Sequence, residues 1–538
     1  MAPQVSIDNN DVIRAAGQNV IVYINDRKSV FTGKELKEYL KSIPADNLLK
    51  IEVITNPSSR YEGAGSVINI VIKRLENEGI KGSVSMSNTQ NNRNSQYTGV
   101  NINFHRKNLT QTLGGSYGNE LSHMETSQEN FLYDDSSLST IQTESNSTTK
   151  SPSLSSTSEL ELDEKNNIGY VLEFAYSKRA DDSNASSETG IAGSPTGSYF
   201  KNQFLTGNSK FLGSNIFYKY YDKEKSTTVD VNMGVNYGAA SDTSSHFTYF
   251  DGATTPVGQR IVAHKQNREY YLKADFVKPI GKDGSQLEVG AKTTYINNII
   301  PYDYYLLNGG LWNEDLSRSN DFHYYENLNS VYANFSKTLF KKLETRVGLR
   351  YEYVWFKIRQ DVGKIERTDS YGTLLPDILV KYNFSDNFNL STGYRHNLWR
   401  PWFEEYNPFL LPGESGIYSR GNMYLKPGPF NSFNMKASLY KKYFFTTYYS
   451  FIRQDYWETF VHENGLIISM PENFEGLVQR WFFNFSTTQN FLKNRLNINL
   501  DMGLGYTDNS DFSEKNKLAL DKYVTNFGGN MNVSYSNL

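Results

Sequence analysis

The chain has 538 residues, a formal net charge of −3 and 14% aromatic residues. This charge gives no electrostatic basis for binding nucleic acid, and the length is sufficient for more than one hydrophobic core. Cysteine is absent, which excludes disulfides, thiolate metal sites and a cysteine nucleophile. No run of about 18 apolar residues occurs, which excludes transmembrane helices.

The first 75 residues predict a small α/β unit. Residues 19–25 (NVIVYIN) form a short apolar run typical of a buried strand, and residues 50–55 (KIEVIT) predict another. Between them, Thr32 and Glu35 have the spacing of a helix capping box, and apolar residues recur at helical spacing from 36 to 43. The pattern alone fits a small βαββ domain of any function.

The segment from Val22 to Arg74 closely resembles the second half of the plug domain of TonB-dependent outer-membrane receptors. The resemblance lies in the stretches VYIND, IPADNLLKIEVITNPSSRY and GAGSVINIVIKR. The motif residues, to which the resemblance gives a structural role, are Asn56, Pro57, Tyr61, Gly63, Gly65 and Asn69. The resemblance implies that residues 1–75 are a partial plug domain. It also implies that the first half of the plug, and the energy-coupling segment before it, are missing from this chain.

From residue 76 onward, apolar and polar residues alternate with a period of two, which is typical of β-strands. Residues 226–238, 344–356 and 495–507 show this alternation clearly. The alternating stretches run for roughly 10 to 16 residues, whereas strands of soluble sheets typically have about 5–6. A strand needs about 9–11 residues to cross a membrane. Residues 76–538 therefore predict a transmembrane antiparallel β-barrel.

The spacing of tight, polar turns predicts the number of strands. Such turns occur near Lys107, Lys165, Glu224, Lys282, Lys341, Asp386, Lys441 and Lys493. Between them lie long stretches rich in serine, asparagine, glycine and tyrosine. Short turns on one side and long loops on the other are typical of outer-membrane barrels, and about eight tight turns predict roughly 18 strands. A β-solenoid is disfavoured because we find no repeat of roughly 20–30 residues.

A second resemblance covers Leu398 to Phe444, which is similar to the signature of the outer-membrane β-barrel family that accompanies such plugs. The matching residues are Arg400, Pro401, Asn407, Pro408, Phe409, Gly421, Asn422, Leu425, Lys426 and Pro427. Barrels of this family close with about 22 strands, which implies that about four strands at the C-terminal end are missing. We therefore expect a gap or a strained closure between the strand near Gly82 and the strand near Tyr535.

Residues that could carry chemistry show no pattern for catalysis. The seven histidines are scattered without the spacing of a metal site, and no serine–histidine arrangement is identifiable. We predict no catalytic residues, no metal, no cofactor and no enzymatic activity. The long aromatic loop after residue 398 is the candidate site for a ligand or partner, and we expect it on the outer side of the membrane. Its candidate residues are Trp399, Arg400, Trp402, Tyr406 and Tyr418.

The two resemblances together imply a protein of the Gram-negative outer membrane that takes up a substrate with energy supplied through TonB. Its partners would be outer-membrane lipid and, through the missing N-terminal segment, the TonB energy-coupling system. The alternative is a non-transporting barrel that acts as an assembly or surface-scaffold subunit. A surface lipoprotein or another outer-membrane protein would then be its partner. Nucleic acid is not expected as a partner.

Overall fold

The computed structural model describes most of the chain, and the fold below refers to the described residues. They are residues 5–7, 13–15, 18–29, 36, 40, 43, 48–54, 57–61, 66–73, 78–132, 137–191, 194–281, 284–412, 417–463, 466–492, 495–517 and 521–535. Within these ranges, no helix is long and apolar enough to span a membrane.

A small sheet forms the N-terminal unit, which we define as residues 5–73. Its strands are β1 (Val5–Ile7), β2 (Ile13–Ala15), β3 (Gln18–Ile24), β4 (Arg27–Lys28), β5 (Leu48–Ile54) and β6 (Ser66–Ile72). They lie in the order β1-β2-β3-β6-β5, with β4 paired to β3. Of the helix predicted from residue 32 to residue 43, Leu36 and Leu40 are helical, and most of the other residues lie outside the described ranges.

Asn69 joins the turn after β3 to the neighbouring strands. That turn consists of Asn25 and Asp26, whose φ angles of 49° and 66° are left-handed and suit these residue types. Asn69 Oδ1 accepts a hydrogen bond from the Asp26 N–H at 3.0 Å, and its Nδ2 donates to Asp26 and Glu52 at 2.8 Å each. Asn69 therefore has a structural role in this unit. The motif residues Asn56, Gly63 and Gly65 lie outside the described ranges.

The rest of the chain forms a β-barrel of long antiparallel strands. In chain order, the strands are β7 (Gly79–Gln90), β8 (Asn94–Arg106), β9 (Leu109–Leu132), β10 (Ser137–Glu161), β11 (Asn166–Ile191), β12 (Ser194–Asp222), β13 (Thr227–Phe250), β14 (Val257–Ile280), β15 (Ser285–Asn308), β16 (Leu311–Glu314), β17 (Asn320–Leu339), β18 (Leu343–Gln360), β19 (Ile365–Ser385), β20 (Phe388–Trp399), β21 (Leu411–Pro412), β22 (Ile417–Ser419), β23 (Gly428–Leu439), β24 (Tyr443–Glu463), β25 (Leu466–Phe491), β26 (Leu496–Asp508) and β27 (Tyr523–Tyr535). The remaining described elements are the helix α1 (Ser510–Asn516) and the 3-10 turns Val362–Lys364 and Phe403–Tyr406. Leaving out the short β16, β21 and β22, eighteen strands form the wall, which confirms the predicted number.

The alternation along β18 shows how the wall separates two environments. Even-numbered residues from 348 to 360 are buried, so they face the interior of the barrel, which we call the lumen. The odd-numbered residues from 347 to 353 face outward and are apolar or aromatic: Val347, Leu349, Tyr351 and Tyr353. A continuous apolar band of this kind is unfavourable in water, and it is the surface that lipid covers on a membrane barrel.

The last and the first strand of the wall are neighbours in the barrel. The strands form a closed barrel in which β27 lies next to β7. The prediction of a gap between these two strands is therefore wrong. Apolar residues of these two strands, Ile80, Met86, Phe527 and Met531, are 67% to 77% exposed. A strained closure at this junction stays a prediction.

The N-terminal unit contacts the inner face of the wall. Its core, which includes Val22 and Ile68, packs with Ala175 of β11 and Phe211 of β12. The guanidinium of Arg27 lies 3.3 Å from the ring centroid of Phe217, which is 1% exposed. These contacts place the unit against the lumenal side of the wall, where its polar loops can meet the charged side chains of other strands.

Candidate functional site

The loop 57–61 of the N-terminal unit is held by hydrogen bonds to the wall. The Ser59 N–H donates to Asn334 Oδ1 on β17 at 3.2 Å. The Ser59 hydroxyl donates to Asp377 Oδ2 on β19. Ser59 and Asp377 are both buried. Because a small side chain stands at this position, the loop backbone comes within hydrogen-bonding distance of the wall.

Ser58 and Arg60 contact two carboxylates on β14 and β15. Arg60 Nε lies 3.0 Å from Asp275 and 3.8 Å from Glu288, and the Ser58 hydroxyl donates to Glu288 at 3.2 Å. Lys273 Nζ also lies 3.0 Å from Asp275. Burial alone would lower the pKa of Arg60, but Asp275 and Glu288 outweigh burial and raise the pKa above its usual value. Arg60 is therefore a permanent cation in this contact.

Two arginines of β18 bind the backbone carbonyls of the same loop. Arg346 Nη2 donates to the Pro57 oxygen at 3.2 Å and lies 3.2 Å from Asp377. Arg350 Nη1 donates to the Ser59 oxygen at 3.3 Å. The N–H, carbonyl and side-chain groups of the loop are thus all bound by the wall. Their partners are charged or amide side chains on five neighbouring strands.

Glu352 connects this contact to Arg400, at the end of the barrel opposite the tight turns. Arg350 Nε donates to Glu352 Oε1 at 2.6 Å, and Arg400 Nη2 donates to Glu352 Oε2. The side chains of Arg350 and Glu352 are 4% and 3% exposed. A carboxylate this deeply buried is tolerated because both of its oxygens are paired with guanidinium groups. A continuous chain of polar contacts therefore runs from Ser59 to Arg400.

The segment that begins with Arg400, residues 400–427, folds into the barrel; we call it the outer segment. Its Tyr406 is 3% exposed and stacks on Tyr324, with ring centroids 5.8 Å apart. Its Phe409 stacks on Tyr302 at 5.0 Å with an interplanar angle of 8°. Tyr302 and Tyr324 face the lumen near the strand ends opposite the tight turns, so the outer segment covers the lumen at that end.

Replacing Phe409 with leucine is expected to loosen the outer segment by about 1 kcal/mol, because the stacking on Tyr302 is lost while most of the apolar area remains. Hydrogen exchange of backbone amides in residues 400–412 should become faster. The matched control is Phe460→Leu, since Phe460 on β24 is 60% exposed, and exchange of the outer segment should not change in that variant. Equal exchange in both variants would contradict the prediction.

Three of the five candidate ligand residues remain accessible. Trp399 and Trp402 are 52% and 71% exposed, and Trp399 Nε1 donates to the Tyr456 hydroxyl at 2.6 Å. Tyr418 lies in β22, which pairs with β25, and is half-buried. The other two candidates are held by the ion pair and the stacking described above. Contact with a ligand stays a prediction for the three accessible residues.

One group of side chains has the composition of a metal site. Asp321, His323 and Asp361 bring three potential ligand atoms within 4.8 Å of one another, although their sequence spacing gave no sign of it. Arg359 Nε donates to Asp361 at 3.0 Å, and its Nη2 lies 3.4 Å from His323 Nε2. A guanidinium cation therefore already contacts two of the three residues, and a metal would have to displace it from them.

Sequence reasoning missed the wall residues that hold the loop 57–61. The charged ones are Asp275, Glu288, Arg346, Arg350 and Asp377. Each is a charged residue on a lumen-facing position of a long strand. This combination could have identified them from the sequence, because a strand can form part of the wall without a charged residue on its lumenal face.

Comparison with known proteins agrees with this architecture. A family model for the outer membrane protein beta-barrel family matches residues 218–537. No curated protein matches the sequence.

Several solved structures have the same fold. The alcaligin outer membrane receptor FauA from Bordetella pertussis is 12% identical over 94% of this chain and 76% of that chain, with a TM-score of 0.55. The siderophore receptor PirA from Pseudomonas aeruginosa is 12% identical over 94% and 82%, with a TM-score of 0.53. The copper transporter OprC is 11% identical over 100% and 81%, with a TM-score of 0.64. These similar structures are receptors and transporters, not enzymes.

Proposed function

The chain belongs to the outer membrane protein beta-barrel family, and on that premise we propose that it takes up a substrate across the outer membrane by energised displacement of its N-terminal unit. The protein lies in the outer membrane of a Gram-negative cell, as the family and the similar receptors indicate. In this proposal the N-terminal unit is the plug, the TonB system supplies the energy, and the outer segment and its accessible aromatic residues face the substrate.

The observation that supports displacement is the polar character of the contact between the loop 57–61 and the wall. Ser59 and Arg60 meet the wall through hydrogen bonds and ion pairs, whose partners are Asn334, Asp377 and Asp275. When such groups separate in a hydrated lumen, water replaces the lost hydrogen bonds, so each contributes only about 0.5–1.5 kcal/mol net, or about 1.5–3 kcal/mol where one group is charged. A contact of this kind can hold the unit at rest and still be broken by an external input of energy.

A reversible cross-link between the loop and the wall tests this mechanism. The Ser59 N–H and the Asn334 side chain are in contact, and the chain has no cysteine of its own, so Ser59→Cys with Asn334→Cys introduces one defined disulfide. With the full-length gene expressed in its host, uptake of ferric siderophores and of copper is measured under oxidising and reducing conditions. We expect uptake to be lost when the disulfide forms and to return on reduction.

The matched control joins two wall strands and leaves the N-terminal unit free. Thr338 and Glu344 are register partners on β17 and β18, and Thr338→Cys with Glu344→Cys should leave uptake unchanged under both conditions. If uptake continues after the cross-link between positions 59 and 334 has formed, the proposed displacement of the N-terminal unit is contradicted. A protein that takes up neither class of substrate but co-purifies with a fixed surface partner would support the scaffold alternative instead.

A further inference from the structure

Two of the tight turns share an unusual sequence and backbone. The turn from β17 to β18 is LFKKL (339–343), and the turn from β23 to β24 is LYKKY (439–443). Phe340 and Lys341 have φ angles of 51° and 61°, and Tyr440 and Lys441 have 53° and 55°. Turns of this shape strongly favour asparagine and glycine, because bulky side chains are strained at positive φ. Bulky residues that recur at such positions indicate a role outside the fold itself.

The aromatic side chains of these turns are exposed. Phe340 is 90% exposed and Tyr440 is 58% exposed. Between them in barrel order lies the turn from β19 to β20, where Phe384 stacks on Phe388 at 4.8 Å and contacts Tyr382 at 4.6 Å. We call the three segments 339–343, 382–388 and 439–443 the aromatic-lysine rim. It occupies one side of the barrel end that carries the tight turns.

The charge of the rim is positive and is not neutralised by the protein. Lys341, Lys342, Lys441 and Lys442 are exposed, and within the described residues none of them has a carboxylate within ion-pair distance. Asp386 is the carboxylate of the rim. Four lysines against one aspartate leave an excess of positive charge beside a cluster of aromatic rings.

The tight turns on the opposite side have a different composition. The turn after β10 contains Asp163, Glu164 and Lys165, and Lys165 Nζ lies 3.0 Å from Asp222. The turn after β12 contains one glutamate between two lysines, at residues 223–225. Charges of both signs alternate in these two turns, whereas the rim carries four lysines and one aspartate.

Short turns of outer-membrane barrels lie on the periplasmic side, and aromatic residues gather at the membrane interface. Exposed rings are compatible with the region between lipid tails and headgroups, while unpaired lysines attract negative headgroups. We propose that the aromatic-lysine rim binds anionic phospholipid of the periplasmic leaflet, with Phe340 and Tyr440 inserted at the interface and the four lysines against the phosphate groups.

The lipid preference of the full chain in nanodiscs tests this proposal. Association of spin-labelled phosphatidylglycerol is compared with that of spin-labelled phosphatidylcholine. The variant K341Q/K342Q/K441Q/K442Q should lower the preference for the anionic lipid by roughly threefold or more, and added salt should lower it in the wild-type protein. The matched control K107Q/K165Q/K223Q/K225Q removes the same charge from the opposite side and should leave the preference unchanged. An equal loss in both variants, or no loss in either, would overturn the proposal.

The depth of the rim gives a second measurement that does not depend on lipid charge. Since the chain has no cysteine, single variants Phe340→Cys and Ser226→Cys can each carry one spin label. The label at residue 340 should collide with oxygen dissolved in the membrane, and the label at residue 226, in a tight turn of the opposite side, with a water-soluble nickel complex. A label at residue 340 that is as accessible to the nickel complex as the label at residue 226 would overturn the insertion of the rim.

Discussion

Replacing Glu352 with alanine is expected to release both the outer segment and the loop 57–61 from the wall. Glu352 lies between Arg350 and Arg400, and its removal takes away the carboxylate that both guanidinium groups bind. Breaking a buried ion pair by removing one partner costs about 3–5 kcal/mol. Hydrogen exchange should become faster at both ends of this chain of contacts, in residues 57–61 and in residues 400–412.

A matched control separates this effect from the loss of an ordinary ion pair. Glu366 pairs with Lys357 at 2.8 Å, but both side chains are at least one-third exposed. Such a pair contributes about 0–1 kcal/mol, so Glu366→Ala should leave exchange in both regions unchanged. Glu352→Gln, which keeps one hydrogen-bond acceptor, should give an intermediate result. Faster exchange at only one end in Glu352→Ala would contradict the connection between the two regions.

The barrel could be predicted from the sequence because its determinants are local. In the stretch RVGLRYEYVWF (346–356), alternation alone gives the two faces of β18, and the repeated spacing of tight turns gives the number of strands. Each of these signals is contained within a single strand or a single hairpin. The strand count of eighteen was confirmed for that reason.

The contact between the loop and the wall could not be predicted in the same way. Ser59 meets Asp377 across 318 residues of sequence, and Arg60 meets Asp275 across 215. Identifying such partners requires the register of every strand between them, and a shift of one residue would turn each side chain to the opposite face. The resemblance to a plug predicts a role for the loop, but not the wall side chains that hold it.

The outer segment shows a second limit of sequence reasoning. Its tryptophans and tyrosines predicted an exposed ligand loop, yet Tyr406 and Phe409 are buried against lumen-facing rings of β15 and β17. Aromatic residues serve equally for packing and for ligand contact, so composition does not separate the two uses. The partner rings belong to strands about 80 to 110 residues earlier in the chain.

Replacing Gly348 with alanine is expected to expel Ser59 from the wall while leaving the barrel intact. An ideal Cβ built at Gly348 lies 2.6 Å from Ser59 Oγ and closer still to the side chains of Asn334 and Asp377. These three groups must move apart, so the Ser59 hydrogen bonds to Asn334 and to Asp377 are lost. Hydrogen bonds to charged groups contribute about 1.5–3 kcal/mol and neutral ones about 0.5–1.5 kcal/mol, so the docking of the loop should weaken by about 2–4 kcal/mol.

The barrel itself should tolerate the same substitution, because Gly348 is not among the glycines with positive φ and alanine restricts the unfolded chain. Gly505→Ala is the matched control: Gly505 also faces the lumen, and its added Cβ would be 3.8 Å from the nearest atom. In the chain with its own Ser59 and Asn334, Gly348→Ala should make hydrogen exchange of backbone amides in residues 57–61 faster, and Gly505→Ala should not. Both should keep the mobility shift on heating that marks a folded barrel in gel electrophoresis. Unchanged exchange of residues 57–61 in Gly348→Ala would mean that the loop does not depend on this close approach.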